Sequence, residues 1–403
     1  MKNQQIQSID LLEYSKRKNI EIKIINQRSI VEHPFVEVDK RNISIQQYLH
    51  GPIYSVRLKN VILVSGKYFL TEDDYLITGD LYFHNYSVCL KYKIFDTSDI
   101  TPGIQLFNKK FEINDTLLTP KATVNEPVCF LSGNPDRAFF GHWFMEYLSK
   151  TFLFEQYDDV KKYVVTDEIP KKHLEWVNEL CGWDKSPLRL SFKQPTFFKE
   201  VVVSSNTLCR NTQNGEIKLW FDGFYQLRER GLKLINYKEK INFGSKKTVL
   251  YISRKEGTNR RVVDEDELLD VFDKDIFEVR TIFIEDYSIK EQIRLVSDAD
   301  VLMFPMGSGG QASCYCKRTA IIIELVPSSG LAFFGGRLYA TLFSLSYLRV
   351  NCTIVGEQTG SHSLDRDILR LLGILQFVIP LFARVIYCVY PTLQRMIDSV
   401  ITH

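Results

Sequence analysis

The chain reads as an α/β protein, and three observations carry that reading. From residue 248 onward, runs rich in Val, Ile, Leu and Phe ("TVLYIS", "FEVRTIFI", "DVLMFP", "TAIIIELV") alternate with helical stretches ("DEDELLDVF", "SIKEQIRLVSDA"). That is the pattern of a parallel sheet buried on both faces. A shorter alternation of the same kind runs from 138 to 205. The run "VLMFPMGSGGQAS" (301–313) then breaks from a buried strand into three glycines within four positions, as a ligand loop at a strand end does.

At 403 residues the chain exceeds what one hydrophobic core usually serves, so two domains are expected, meeting near residue 240. Residues 1–240 form the first. Within it, 35–132 are strand-rich ("VILVSG", "YLITGDLYFHN", "SVCLKYKIF", "PVCFLSG") and 133–235 are α/β. There "AFFGHWFMEYLSKTFLFEQY" has the apolar stripe of a helix, "KYVVT" is a strand, "PKKHLEWVNELCGW" a helix, and "LRLSF" and "KEVVVSS" are strands. The polar stretch "NYKEKINFGSKK" links it to a Rossmann-like second domain, 241–365. A helix, "SLDRDILRLLGIL", and an apolar tail over 366–403 close the chain.

Apolar residues are 45% of the chain and charged ones 25%, which excludes a disordered protein. A net charge of +2, spread along the chain, gives no footprint for nucleic acid, so anion binding has to be local. Cys314 and Cys316 lie one residue apart, without the C-x-x-C or His spacing of a zinc site, and read as buried thiols. The opening "MKNQQIQSIDLLEYSKRKN" has no signal-peptide run and predicts a cytoplasmic location. Residues 371–390 are long enough to span a bilayer but contain Gln376, Pro380 and Arg384. The expectation for 371–396 is therefore domain packing or peripheral contact with an inner membrane face.

Glycines at the carboxyl end of a parallel strand let backbone N–H groups approach an anion, so Gly307, Ser308, Gly309 and Gly310 are candidates to hold a diphosphate. A plain strand-to-helix turn is the competing reading. Ser253 and Arg254 end the first strand of the same domain, with Arg260 and Arg261 shortly after, where a guanidinium fork can pair with phosphate oxygens. For Arg260 and Arg261 the alternative is a solvated pair beside "DEDE". Glu324, in "AIIIELV", is either a ribose-binding acid or part of a buried ion pair. "DAD" (298–300) has metal-binding spacing but falls where a helix meets a strand, and reads as a junction.

Taken in order, "YISR", "RVVDE", "EDYSIKEQI", "GSGG" and "IIIEL" resemble the second-domain pattern of glycosyltransferase family 61, over about 248 to 326. "GHWFMEYL" (141–148) is similar to that family's His-Trp helix start. The chain departs from the pattern at Met306, where the family has His, and at Asp264, where it has Asn. The resemblance implies a GT-B fold and inverting transfer from a nucleoside-diphosphate sugar, without a cofactor or an obligatory metal. It also implies a glycan or lipid-linked glycan acceptor in surface polysaccharide assembly. Inverting transfer needs a base for the acceptor hydroxyl. His142 at the helix start is the candidate, with Asp136 and Glu146 in reserve; a core role for His142, between Phe140 and Trp143, is the alternative. Two rival functions fit the same residues: a sugar-nucleotide or glycan-binding protein without turnover, and a GT-B-like epimerase.

Overall fold

The computed structural model describes residues 3–25, 31–37, 42–49, 53–64, 66, 68–79, 104–107, 110–114, 118–132, 140–183, 186–191, 193–210, 217–239, 246–254, 262, 265–327, 335–343, 345–355 and 361–364. They form a mixed α/β protein of two compact units. The first comprises Met1–His33 and Ile45–Leu234, the second Pro34–Ser44 and Ile235–His403.

In the first unit, four parallel strands lie in the spatial order Ser186–Leu190, Lys162–Thr166, Val128–Ser132, Thr196–Ser204. Numbered along the chain this order is 3-2-1-4. The connections therefore reverse direction between Val128–Ser132 and Thr196–Ser204, the switch point at which open α/β sheets bind ligands. Thr196–Ser204 then pairs antiparallel with the long strand Ile53–Val64, in register from Ser55 opposite Ser204 to Leu63 opposite Thr196. Through Ile53–Val64 the sheet continues into antiparallel strands at Tyr68–Leu70 and Tyr75–Gly79. Val56 and Leu58 with Val201 and Val203, and, past the irregular Asn60 at φ 51°, Val61 with Phe198, are all buried in one core with Phe130 and Val164. Each such side chain contributes roughly 1.5–3 kcal/mol by leaving water.

The N-terminal segment adds elements that its sequence pattern did not announce. Asn3–Asp10 is a strand, and Asp10 caps the helix Leu11–Arg17 by accepting from the Leu12 N–H at 2.8 Å.

The second unit is a six-stranded sheet in the order Phe277–Ile282, Lys247–Ile252, Val301–Pro305, Ile321–Pro327, Ser346–Val355, Ser361–Leu364. The first five are parallel, in chain order 2-1-3-4-5, so this sheet switches direction between Lys247–Ile252 and Val301–Pro305. All five residues of Val301–Pro305 are buried, as a strand covered on both faces requires. The helix Ile289–Asp298 starts in a capping box: the Glu291 N–H donates to Ser288 Oγ and the Ser288 N–H to Glu291 Oε2. Its Ile289, Ile293 and Val296 are spaced for one face and buried.

One expectation is sharpened and two need correction. The glycine stretch opens directly onto a helix, as expected, and that helix, Ser308–Tyr315, is of the 3₁₀ type. Residues Ser363 and Leu364, read as the start of a helix, belong to the strand Ser361–Leu364, which pairs antiparallel with Ser346–Val355. "DEDELLDVF" forms only the short helix Glu265–Leu269. The tail from 365 onward, with the membrane-contact stretch 371–396, lies outside the described residues. Among the described residues no helix is long and apolar enough to cross a membrane.

Candidate functional site

Each unit carries candidate groups at the carboxyl edge of its parallel sheet. In the second unit, the strand Lys247–Ile252 delivers Ser253 and Arg254, and its neighbour Val301–Pro305 delivers Met306 to Gly310, on the two sides of the switch point. The two segments meet: an Arg254 Nη1–H reaches the Met306 carbonyl oxygen, a long contact of 3.5 Å. Arg254 is half-buried, and its desolvation pushes its pKa below the ordinary guanidinium value, the charge of Glu285 offsetting part of that. A cation held partly out of water beside backbone dipoles is prepared for an anionic partner.

The loop itself uses its glycines differently. Gly307 sits at φ 154°, ψ −159°, a region open essentially to glycine alone. Gly309 lies against the end of the first strand, where a Cβ would stand 3.4 Å from Ile252 Cγ2. Gly310 N–H donates to Gly307 O at 3.1 Å, closing the turn. Met306 is buried and acts through its backbone, its N–H donating to Leu325 O at 2.8 Å while its carbonyl faces Arg254. Further on, the 3₁₀-helix is fixed by the buried Gln311, whose Oε1 accepts from Tyr339 OH at 2.7 Å. Cys314 and Cys316 are buried and form no disulfide.

Other candidates of this unit stand apart from that meeting point. The Ser253 hydroxyl donates to Glu265 Oε2 at 2.7 Å, and Tyr251 OH donates to Glu265 Oε1 at 3.0 Å; this buried carboxylate ties the short helix Glu265–Leu269 to the sheet. Glu324 is buried in mid-strand, level with Phe304, and accepts from Tyr347 OH at 2.6 Å. Arg260 and Arg261 lie outside the described residues, as does Asp264. The "DAD" stretch is the helix-to-strand junction its sequence suggests, at the opposite, amino edge of the sheet. There Asp300 accepts from the Thr248 N–H at 2.9 Å and pairs with Lys317 at 2.8 Å.

In the first unit, the strand Val128–Ser132 is followed by a helix whose middle, Trp143–Leu148, winds as a π-helix between the short α-turns Phe140–His142 and Lys150–Phe154. Such wide turns are rare and cluster at functional positions. His142 Nδ1 stands 2.5 Å from Glu146 Oε1, with the His142 side chain 23% exposed and the Glu146 side chain 1%. With the carboxylate accepting, Nδ1 holds the proton and Nε2 is left as the basic nitrogen. His142 is thus partly exposed and paired with the buried Glu146. Asp136 lies outside the described residues.

The surroundings keep that helix in place. Trp143 stacks on His173 at 5.7 Å between centroids and donates from Nε1 to the His173 carbonyl at 3.1 Å. Phe144 meets Trp176 edge-on at 5.5 Å. Burial holds the His173 imidazole neutral, its pKa pushed down to about 4.

Three features escaped sequence reasoning. Lys150, the second residue of the run "SKTFLF", is buried; its Nζ lies 5.0 Å from the Tyr147 ring centre, and burial lowers its pKa to about 8, against the charge of Glu146. Glu168, just past the strand Lys162–Thr166, has its pKa raised to about 7 by burial and by its neighbour Asp167. The polar run Ser204–Thr207 ends the strand Thr196–Ser204 and is wholly buried. A lysine inside an apolar stripe and a serine pair ending a β-branched run were the available signals.

Among the described residues no cluster of three or more His, Cys, Asp or Glu forms a metal site. No curated protein matches the chain. The family model Glycosyltransferase 61 matches residues 140–323, from two residues before His142 to one before Glu324, so that it spans the His142–Glu146 turn, Arg254 and the glycine loop. Over that stretch, a little under half of the chain, the sequence is similar to glycosyltransferase family 61, a family of sugar-transferring enzymes.

Proposed function

We propose that the protein is an inverting glycosyltransferase of GT-B type that takes its sugar from a nucleoside-diphosphate donor bound by the second unit and passes it to a glycan acceptor bound by the first. The observation that carries this reading is the meeting of Arg254 with the glycine loop at the 2-1-3-4-5 switch point. There a cation, a glycine-only backbone and the start of a 3₁₀-helix offer N–H groups and positive charge to a leaving diphosphate. On the acceptor side, His142 Nε2 takes the proton of the attacking hydroxyl while Glu146 holds Nδ1 and stabilises the imidazolium that forms. Arg254 and the loop stabilise the charge developing on the leaving group, so the reading requires no metal. A lipid-linked acceptor in surface polysaccharide assembly, at the inner face of a membrane, is the setting this reading favours.

Met306 favours a second reading, in which the chain binds sugar nucleotides without turning them over, because an imidazole of the family pattern is missing from the loop. The two part on whether a product forms. Incubation with a panel of UDP-, GDP-, CDP- and dTDP-sugars, with and without EDTA, is expected to release nucleoside diphosphate in both conditions. Loss of turnover in EDTA overturns the metal-free mechanism, and binding without release supports the second reading.

The donor site has its own test. Arg254→Ala is expected to weaken nucleoside diphosphate binding at least roughly tenfold in calorimetry, since a charge-assisted hydrogen bond is worth about 1.5–3 kcal/mol. Unchanged affinity removes Arg254 from the site.

A further inference from the structure

The first unit has a second set of groups at its switch point that the reading above does not use. The strand Thr196–Ser204 runs into Ser204, Ser205, Asn206 and Thr207, whose exposures are 3%, 0%, 2% and 0%. Four consecutive polar side chains with no access to water are costly unless each is bonded. Two of them are. Ser205 Oγ accepts from the Tyr54 N–H at 3.1 Å, and the Ser205 N–H donates to Tyr54 O at 2.9 Å. Thr207 Oγ1 accepts from Ser149 Oγ at 2.9 Å and donates to the Glu146 carbonyl at 3.3 Å. The alternate pair is not: neither Ser204 Oγ nor Asn206 Nδ2 has a hydrogen-bond partner. Each such group costs about 1–3 kcal/mol in a folded protein.

Position gives that cost a meaning. Ser204 ends the strand at the point where the 3-2-1-4 order reverses, the edge where a ligand enters such a sheet. Opposite Ser204 in register is Ser55, whose Oγ meets Tyr157 OH at 3.0 Å and accepts from Gln156 Nε2 at 2.9 Å, so this face of the sheet is the one covered by the helical segment that begins at Phe140. Through Thr207 the polar run is hydrogen-bonded to the backbone of Glu146, the residue that holds His142. The unbonded pair and the base candidate are thus carried on directly connected turns.

The chemistry of the pair selects its ligand. A serine hydroxyl both donates and accepts, and an amide nitrogen donates. Both are neutral. An alcohol, which donates and accepts in turn, matches a hydroxyl beside an amide donor, and needs no charged partner. We infer that Ser204 and Asn206 form a subsite that holds hydroxyl groups of the acceptor sugar and so presents the acceptor to the turn bearing His142. This rests on the first unit being the acceptor side.

The test is saturation-transfer NMR on the full chain with the methyl glycosides of glucose, galactose, mannose, N-acetylglucosamine and xylose, each offered singly. Wild-type protein is expected to transfer saturation to at least one glycoside, and Ser204→Ala and Asn206→Ala to weaken that binding about fivefold, the size of one lost hydrogen bond. Because the Ser204 hydroxyl bonds to nothing within the protein, Ser204→Ala is also expected to melt at or above the wild-type temperature. Should Asn206→Ala fail to fold, Ser204→Ala decides the matter alone. No transfer to any glycoside on wild-type protein, or equal transfer to both variants, overturns the subsite, and a lower melting point of Ser204→Ala with unchanged binding assigns the hydroxyl a structural role instead. UDP affinity and its dependence on Arg254 are measured alongside. If these hold while glycoside binding fails, the subsite alone is wrong; if UDP binding fails as well, the transferase reading falls with it.

Discussion

The two sheets differ in the charge they carry at the carboxyl edge. In the second unit the switch point gathers Arg254 and the turn of Gly307 to Gly310, a cation and a run of backbone N–H groups with little side chain between them. In the first unit it gathers Ser204 to Thr207 and a helix whose His142 is tied to Glu146, a set that is neutral except for one buried carboxylate and one buried lysine. Fold alone does not distinguish them, since both are parallel sheets with a reversal of strand order. The side chains do. On the proposed reading, one edge serves a phosphate that leaves with a negative charge, the other an alcohol that has to lose a proton.

The strongest way to break that comparison is to remove the proposed base and ask whether the other edge notices. His142→Gln is expected to lower the transfer rate by about 10² to 10⁴, the usual contribution of a general base, and to leave UDP affinity unchanged. Glu146→Gln, which keeps the side chain's shape but no longer supports the imidazolium, is expected to fall between that variant and wild type. Steady-state kinetics together with calorimetry check both. A loss of UDP binding in His142→Gln shows that the two edges do not divide the labour.

How much of this was legible in the sequence depends on what the chain had to spend to build it. Four of the six strands of the second sheet were readable from their apolar runs, most plainly Val301–Pro305, which is buried throughout and so demands an unbroken one, whereas the edge strand Phe277–Ile282 keeps only its two ends buried. Arg254 and the glycine loop were readable for the same reason: they are the first residues past such runs. The π-helix was not, since its "WFMEYL" has the apolar content of an ordinary buried helix and nothing in it fixes the wider turn. Nor was the role of Ser253, whose hydroxyl is taken up by a glutamate twelve positions on, or the strand at Ser361–Leu364, where a polar sequence pairs only because Ser346–Val355 offers it an edge. Ser204 to Thr207 look in sequence like the loop after a strand, and only their burial makes them conspicuous.

The second contrast is in how the units respond to acid. His173 is buried against Trp143 and has a pKa of about 4, against 6.5 for the free imidazole. The unfolded chain therefore binds a proton that the folded one refuses as pH falls from 6.5 toward 4, and stability is lost over that window, by on the order of 3 kcal/mol at most. All four tryptophans, 143, 176, 183 and 220, belong to the first unit, so their fluorescence reports its unfolding. Urea midpoints followed by this signal are expected to drop between pH 6.5 and 4 in wild-type protein and to drop less in His173→Phe, which keeps an aromatic ring against Trp143 and cannot take up the proton. An equal drop in the two proteins shows that another group governs the acid response of this unit.

The smallest effect concerns Glu324, for which the sequence left two readings, a ribose ligand or a buried polar link. It lies in mid-strand rather than at the carboxyl edge, it is 1% exposed, and Tyr347 OH donates to its Oε2 at 2.6 Å. A carboxylate so placed needs its donors to remain inside the sheet, and removing one costs about 1–3 kcal/mol because the acceptor stays buried. Tyr347→Phe, which deletes only that hydroxyl, is expected to lower the stability of the second unit toward the bottom of this range, since the change is a single oxygen near a partly exposed side chain. Hydrogen exchange in the strands Ile321–Pro327 and Ser346–Val355 follows it without relying on tryptophan. If Glu324 is a structural group, UDP affinity in the same variant stays at its wild-type value. If affinity falls with little change in exchange, the carboxylate reaches the ribose after all, and the donor site extends one strand beyond the meeting of Arg254 with the glycine loop.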